Sequence, residues 1–269
     1  MSTTTNQKDK REKKKRKKSK PKSRKNIYDS FEKNVIFKNS QYIVESLSIN
    51  LPYWITMCIC IYILTKYSSK NYTFVEGIIS FLIAIYSGYS VHRTSHTYDF
   101  GKIYEDSTNP IIVYLKSFEN INYFIENFIL YVFDFHDKIH HDSTINKKPH
   151  LIIIEFIQNL ITTGGLLAWF IYITNFHFTF NNTTFRFNPS TFLLWGMIYA
   201  TVHNINFLFH ENEQHVKHHI DPCTNYALDI VDIMLDTKYD LENIENFNWD
   251  GCVNGIIITA LMIYFNIDI

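Results

Sequence analysis

The chain has 269 residues, and its 26 Lys/Arg balance 26 Asp/Glu to a formal charge of zero, which conceals a strong asymmetry. Residues 1–25 hold 13 Lys/Arg and two acids, a net of +11, so the remainder, with 13 basic and 24 acidic side chains, is at −11. The length allows one sizeable core, and the four cysteines (Cys58, Cys60, Cys223, Cys252) form no CxxC, which gives no basis for a thiolate zinc site or a disulfide framework.

Residues 1–26 have no apolar periodicity and read as a disordered polybasic tail, drawn to anionic lipid headgroups and setting membrane orientation by the positive-inside rule. A basic tail on a membrane-embedded body gives no reason to expect nucleic-acid binding. No signal-peptide pattern precedes the tail, so a first transmembrane helix is expected to do the targeting. The remainder, residues 27–269, reads as one membrane-embedded domain. Residues 27–50 suggest an amphipathic surface helix. Leu51–Tyr67 is uncharged until Lys66 and forms the first expected span, at the short end of the usual length. Thr73–Val91 is a second, interrupted only by Glu76 and running directly into His92. Between them lies a polar turn, which makes a hairpin.

Pro110 opens a run in which Ile111, Ile112, Leu115 and Phe118 line one side of a helix. Tyr123–Phe135 is too short for a crossing and reads as an interfacial or re-entrant element leading to His136. Leu151–Thr174 is the longest apolar stretch, with Glu155 and Asn159 in its first half, and should cross. The loop that follows carries two overlapping glycosylation sequons, Asn181-Asn182-Thr183-Thr184, as expected of a lumenal position. Thr191–Phe209 crosses back. Residues 222–253 are polar, and Ile256–Ile267 suggests a short helix packed against the body. The expected fold is an all-α, integral membrane helical bundle of about four transmembrane helices, with its N-terminus cytosolic.

Ten of the 12 histidines fall in or beside three windows: His92 and His96; His136, His140 and His141; His203, His210, His215, His218 and His219. A lone histidine on an apolar face is most often a satisfied core residue. Here three clusters recur at helical spacing, each following an apolar run, and the crossings above place all three on the cytosolic face. On a helix, i, i+3 and i+4 share a face, so His215, His218 and His219 are expected to aim at a single spot. Neutral imidazole suits iron, zinc or copper, and ten such ligands are more than one ion can use, so a cytosolic-face cap holding two metal ions is expected. Asp134, Asp137, Asp142 and Asp221 are candidates to accept the outer ring N–H of a ligating histidine. His177 falls on the opposite side of the bilayer and is expected not to be a ligand. His150 sits at the correct face but has no partner at helical spacing.

In that order, HRTSH, HDKIHH and HVKHH resemble the three histidine boxes of the fatty acid hydroxylase/sterol desaturase superfamily of membrane di-iron enzymes. Arg93 follows the first histidine as in the family's HRxxH, and Asn225-Tyr226 followed by Asp232 and Asp236-Thr237 is similar to its NYG…D…GT ending. The likeness covers roughly residues 80–240. Some forty residues separate His96 from His136, longer than the family's usual gap, and Ala227 and Asp236 stand where glycines are expected.

The resemblance implies an endoplasmic-reticulum or derived membrane oxidoreductase that uses two iron ions, with zinc as an alternative occupant, and O2 to hydroxylate or desaturate a fatty acyl or sterol C–H bond. It implies catalytic roles for His92, His96, His136, His140, His141, His203, His215, His218 and His219, with His210 as a further metal ligand. Electrons would come from cytochrome b5 or a reductase, since no such domain is visible in the chain. His218-His219-Ile220-Asp221-Pro222 is also similar to the Kua-type plasmanylethanolamine desaturases, a related alternative. A non-enzymatic His-rich membrane metal carrier is a second alternative, and a membrane zinc hydrolase a third, although the chain lacks HExxH.

Overall fold

The computed structural model of the protein describes residues 34–142, 148–206, 209 and 212–267; the basic tail and His210 lie outside the described residues. The described chain is helical apart from one β-hairpin. Two short helices, α1 (Asn34–Lys38) and α2 (Ser40–Ile49), stand where an amphipathic surface helix is expected. α2 meets α3 (Leu51–Tyr67) at a bend of 67°, with Pro52 in the first turn of the new helix.

α4 (Phe74–Thr97) begins with a capping box in which the Thr73 hydroxyl accepts from the Glu76 amide and the Glu76 carboxylate accepts from the Thr73 amide. Glu76 also accepts from the Arg186 amide at 2.9 Å, so this charge in an apolar run serves the helix terminus and a long-range tie. Then come α5 (Phe100–Glu105), α6 (Pro110–Lys116) and α7 (Glu119–Val132). α6 ends before Phe118, short of the expected run. α7 buries none of its residues, as fits a surface element.

α8 (Pro149–Thr174) is a single long helix with a wide π-turn at Ile161–Gly165. The expected open loop after it is instead a hairpin of β1 (His177–Phe180) and β2 (Thr183–Arg186), paired antiparallel from His177↔Arg186 to Phe180↔Thr183. Asn181 and Asn182 have φ of 46° and 63°, the left-handed pair that a two-residue hairpin turn requires. α9 (Pro189–Ala200) continues as a second wide turn over Thr201–Asn206. α10 (Glu213–Ile220) and α11 (Asp229–Met234) form a polar cap.

The last helix, α12 (Asn248–Tyr264), begins earlier than the expected Ile256 and is 17 residues long, the same as α3. Asn248 accepts from the Tyr53 amide at one end, and Tyr67 donates to the Ile263 carbonyl at the other, so α12 lies parallel to α3 along its whole length.

α9 sits at the centre. Nine of its 12 residues are buried, Trp195, Phe192, Leu194 and Ile198 among them. Trp195 packs edge-on against Phe81 of α4, and Gly164 of α8 meets α9 so closely that a Cβ there would lie 2.2 Å from the Phe192 carbonyl oxygen. Small residues at a crossing let helix backbones approach in this way. By length and composition α4 and α8 are apolar enough to cross a membrane, and the bent pair α2–α3 would make a third. α9, with 12 helical residues before its wide turn, is shorter than these, and its neighbours cover most of it.

Helix directions follow from the contacts. Gly77 lies against Ile61 and Thr65, so α3 and α4 are antiparallel. Ser80 bonds the Asn188 amide and His92 meets Tyr199, so α4 and α9 are parallel. Asn159 bonds Asn204 near the start of α8, so α8 opposes α9. The ends of α4 and α9 therefore meet the start of α8 at one end of the bundle, and the hairpin lies at the other.

Candidate metal centre

Nine of the ten predicted ligands come together at that end. The first cluster takes His92 and His96 from the last turns of α4, His136 from a wide turn over His136–His140, and His218 from α10. Their Nε2 atoms lie 2.8 Å (92–136), 3.0 Å (92–218), 3.1 Å (96–218) and 3.4 Å (136–218) apart. His141 joins them, its Nε2 3.2 Å from that of His218. In the second cluster the Nε2 atoms of His140, His215 and His219 form a triangle with sides of 3.2, 2.9 and 2.9 Å. His203 lies against it, 4.3 Å from His215 between ring centroids.

The clusters explain the paired histidines. Residues adjacent on a helix point about 100° apart, so His140-His141 and His218-His219 each send one ring to each cluster. This corrects the expectation that His215, His218 and His219 aim at one spot. His215 and His219, one turn apart, share the second cluster, while His218 serves the first. The wide turn does the same for the middle window. His141 donates its amide to the His136 carbonyl, so that His136 lies 4.8 Å from His140 and 5.1 Å from His141 between ring centroids, at the junction of the clusters.

A neutral imidazole has one N–H and one in-plane lone pair. His92 donates from Nδ1 to the Tyr226 carbonyl at 2.7 Å, and His218 donates from Nδ1 to the Thr224 carbonyl at 2.6 Å. His96 Nδ1 faces Asp137 Oδ1 at 3.2 Å. These outward bonds consume the ring proton and leave Nε2 lone pairs converging within the first cluster. Lone pairs do not attract one another at 3 Å, and in the second cluster each Nε2 can satisfy only one of its two neighbours with a proton. A cation satisfies them all. Two nitrogens bound at about 2.0–2.1 Å to one ion stand roughly 3 Å apart, the spacing observed.

Burial, reinforced by neighbouring imidazoles, pushes His218 down to about 3 and His219 down to about 4, so both rings are neutral near pH 7, the form a metal ion needs. His136, His141 and His215 are lowered for the same reasons.

Sequence reasoning missed Glu155, which joins His136, His140 and His203 in a third group able to hold an ion. Its Oε1 is buried without a hydrogen bond, 2.6 Å from His140 Nδ1 and 3.5 Å from His203 Nε2, which is likewise buried and unbonded. A buried carboxylate oxygen that pairs with His140 and faces the unbonded His203 nitrogen is the arrangement a cation or a shared proton resolves. The signal was present in the sequence, since a carboxylate inside an apolar span needs either a structural partner, as Glu76 has, or a function.

Of the aspartates expected to fix ring tautomers, Asp137 reaches His96. Asp134 instead accepts from the amides of Phe100 and Gly101 and pairs with Lys138, and Asp221 accepts from the Cys223 amide in a turn. Backbone carbonyls orient His92 and His218, which no side-chain pattern could disclose. His150 is exposed at the start of α8, away from both clusters. His177 is exposed on β1 at the far end, its ring on the Asn175 carbonyl. No family model, curated protein or solved structure matches the chain.

Proposed function

We propose that the protein is a membrane-bound, O2-dependent di-iron oxidoreductase that hydroxylates or desaturates a lipid C–H bond, in the manner of the superfamily its histidine boxes resemble. The observation that carries this reading is the pair of adjacent imidazole clusters at one end of an apolar helical bundle, with a cavity reaching His92 and His136.

His92, His96, His136, His141 and His218 would hold one ion, and His140, His203, His215 and His219, with Glu155, the other. Bound iron supplies O2 activation and removal of hydrogen from the alkyl chain. Hydroxylation then consumes one O2, two electrons and two protons per chain and releases one water; desaturation consumes the same and releases two. The electrons come from outside, from cytochrome b5 or a reductase. The chain's own residues fix ring orientation through Tyr226, Thr224 and Asp137, and exclude water by burying the ligands.

The histidine end is cytosolic in this reading, supported by the 13 Lys/Arg of residues 1–25, and the membrane is that of the endoplasmic reticulum or one derived from it. α3, α4, α8 and α9 provide the four crossings, and α12, parallel to α3, adds a fifth. A metal carrier would string ionisable groups along a path through the spans; the gathering of ligands at one end speaks against it. The test is metal analysis of the purified chain with lipid profiling of expressing cells. About two iron atoms per chain are expected, with an oxidised lipid lost in His218→Ala. A metal-loaded chain that changes no lipid would sink the enzymatic reading.

A further inference from the structure

A cavity of about 340 Å³ runs from the first histidine cluster to the outer surface of the bundle. Its inner wall holds His92, His136 and Tyr199. Its rim holds Val91, Phe133 and Leu166, which are 37, 43 and 57 % exposed. The size lies within the range of sites that enclose small organic ligands.

The rim residues stand on surfaces that are apolar well beyond the opening. Leu82, Ile83 and Tyr86 of α4 and Trp169, Phe170 and Ile173 of α8 are all exposed, and these are the two helices able to cross a membrane. In water, such a surface would be costly to expose. The opening therefore lies in the same apolar belt and faces lipid.

The third side of the rim comes from the long segment between the first two histidine windows. Phe100, Val132 and Phe133 line the cavity from it, and Gln158 of α8 donates to the Val132 carbonyl at 3.3 Å, tying the segment to the wall. Its α7 exposes Phe124 and Phe128, continuing the apolar belt. Inside, several polar groups are spent on the helix backbone or on one another, and the Gln158 Oε1 stays unbonded. The Thr162 and Thr163 hydroxyls donate to the carbonyls of Gln158 and Asn159, and Asn159 bonds Asn204. The wall so formed offers methyl groups and ring faces more than hydrogen bonds.

The geometry points to a lateral portal that takes the alkyl chain of a lipid resident in the bilayer, framed by α4, α8 and the 98–135 segment, and delivers it to His92 and His136. The reaction at the end of the portal rests on the proposed function; the binding does not. A water-soluble acyl thioester would have to approach from the polar cap side, where no residue of α10 or α11 lines this cavity and a smaller one, of about 90 Å³, meets His92 and Tyr199.

The test uses the full chain in phosphatidylcholine/phosphatidylserine nanodiscs. One arm contains phosphatidylcholine with a diazirine in its acyl chain, the other a diazirine acyl-CoA added from water. After illumination, labelled residues are mapped by mass spectrometry, and iron is measured in the same sample. Phosphatidylcholine is expected to label the inner and rim positions around Val91, Thr162 and Phe133, and the acyl-CoA at least fivefold less. Thr162→Trp, and separately Val91→Trp at the rim, should cut inner labelling at least fivefold with iron content unchanged. Labelling confined to the outer belt at Leu82 and Trp169, inner labelling unaffected by either tryptophan, or stronger labelling by the acyl-CoA would overturn the portal. Iron present with an unlabelled cavity sinks the portal alone, whereas a labelled cavity in a chain that binds no metal sinks only the di-iron reading.

Discussion

Single side chains decide how the two clusters divide. His140 belongs to one and His141 to the other, and the same holds for His219 and His218, so truncating neighbours should empty different sites. His140→Ala and His218→Ala are each expected to lower bound metal from about two ions per chain to about one. The double variant should retain almost none, as read by elemental analysis of purified protein. If both single variants kept the same ion, judged by the spectroscopic signature of what remains, the two-cluster assignment would be wrong. Glu155 makes a second residue-scale case. Replacing its carboxylate by an amide keeps the shape but removes the negative charge beside His140 and His203. Glu155→Gln is therefore expected to weaken metal binding at the second cluster by roughly 10- to 100-fold, with little change at the first. Asp137→Asn should do less, because its carboxylate is half exposed and water can replace its contact with His96. A competition titration with a chelator separates these outcomes.

At the scale of elements, the sequence pattern located the long helices well and misjudged the places where a charge or a short helix had a partner elsewhere. Glu76 reads as a flaw in a span until the capping box and Arg186 are seen. α12 reads as a short packing helix because Asp250 and Asn248 begin it. Those residues are satisfied by Asn206 and by the backbone of Tyr53 and Ile49, contacts made across long sequence separations. Its parallel run beside α3 gives a topology prediction. Acceptor asparagines at Asn181 or Asn182, and in a sequon appended after Ile269, should both be glycosylated in microsomes. Modification of the hairpin without the appended site would return the bundle to four crossings. The α8–α9 crossing yields another prediction, because Gly164 has no room for a methyl group against the Phe192 carbonyl. Gly164→Ala should cost about 1–3 kcal/mol of stability, seen as a lower melting temperature in detergent. An unchanged melting temperature would mean that the helices part there at little cost.

For the whole molecule, the consequence of the fold is that three separate helix ends and a wide turn converge at one end while the hairpin occupies the other. In the proposed reaction, a redox partner at the histidine end and a lipid from the side would then not compete for one entrance. Much of this was legible beforehand. Apolar runs fixed which segments become long helices, because burying or lipid-exposing such runs requires all their backbone groups to be bonded internally. Histidine spacing fixed the pairs His92/His96 and His215/His219, because helical periodicity puts i and i+4 on one face whatever the helix packs against. Other features required the assembled chain. The division of ligands between two clusters, the recruitment of Glu155, the Tyr226 carbonyl as the orienting acceptor of His92 and the cavity behind His92 all join residues far apart in sequence. Local periodicity says which way a side chain points along its own helix. Only the packing of α4, α8, α9 and α10 against one another says what it points at.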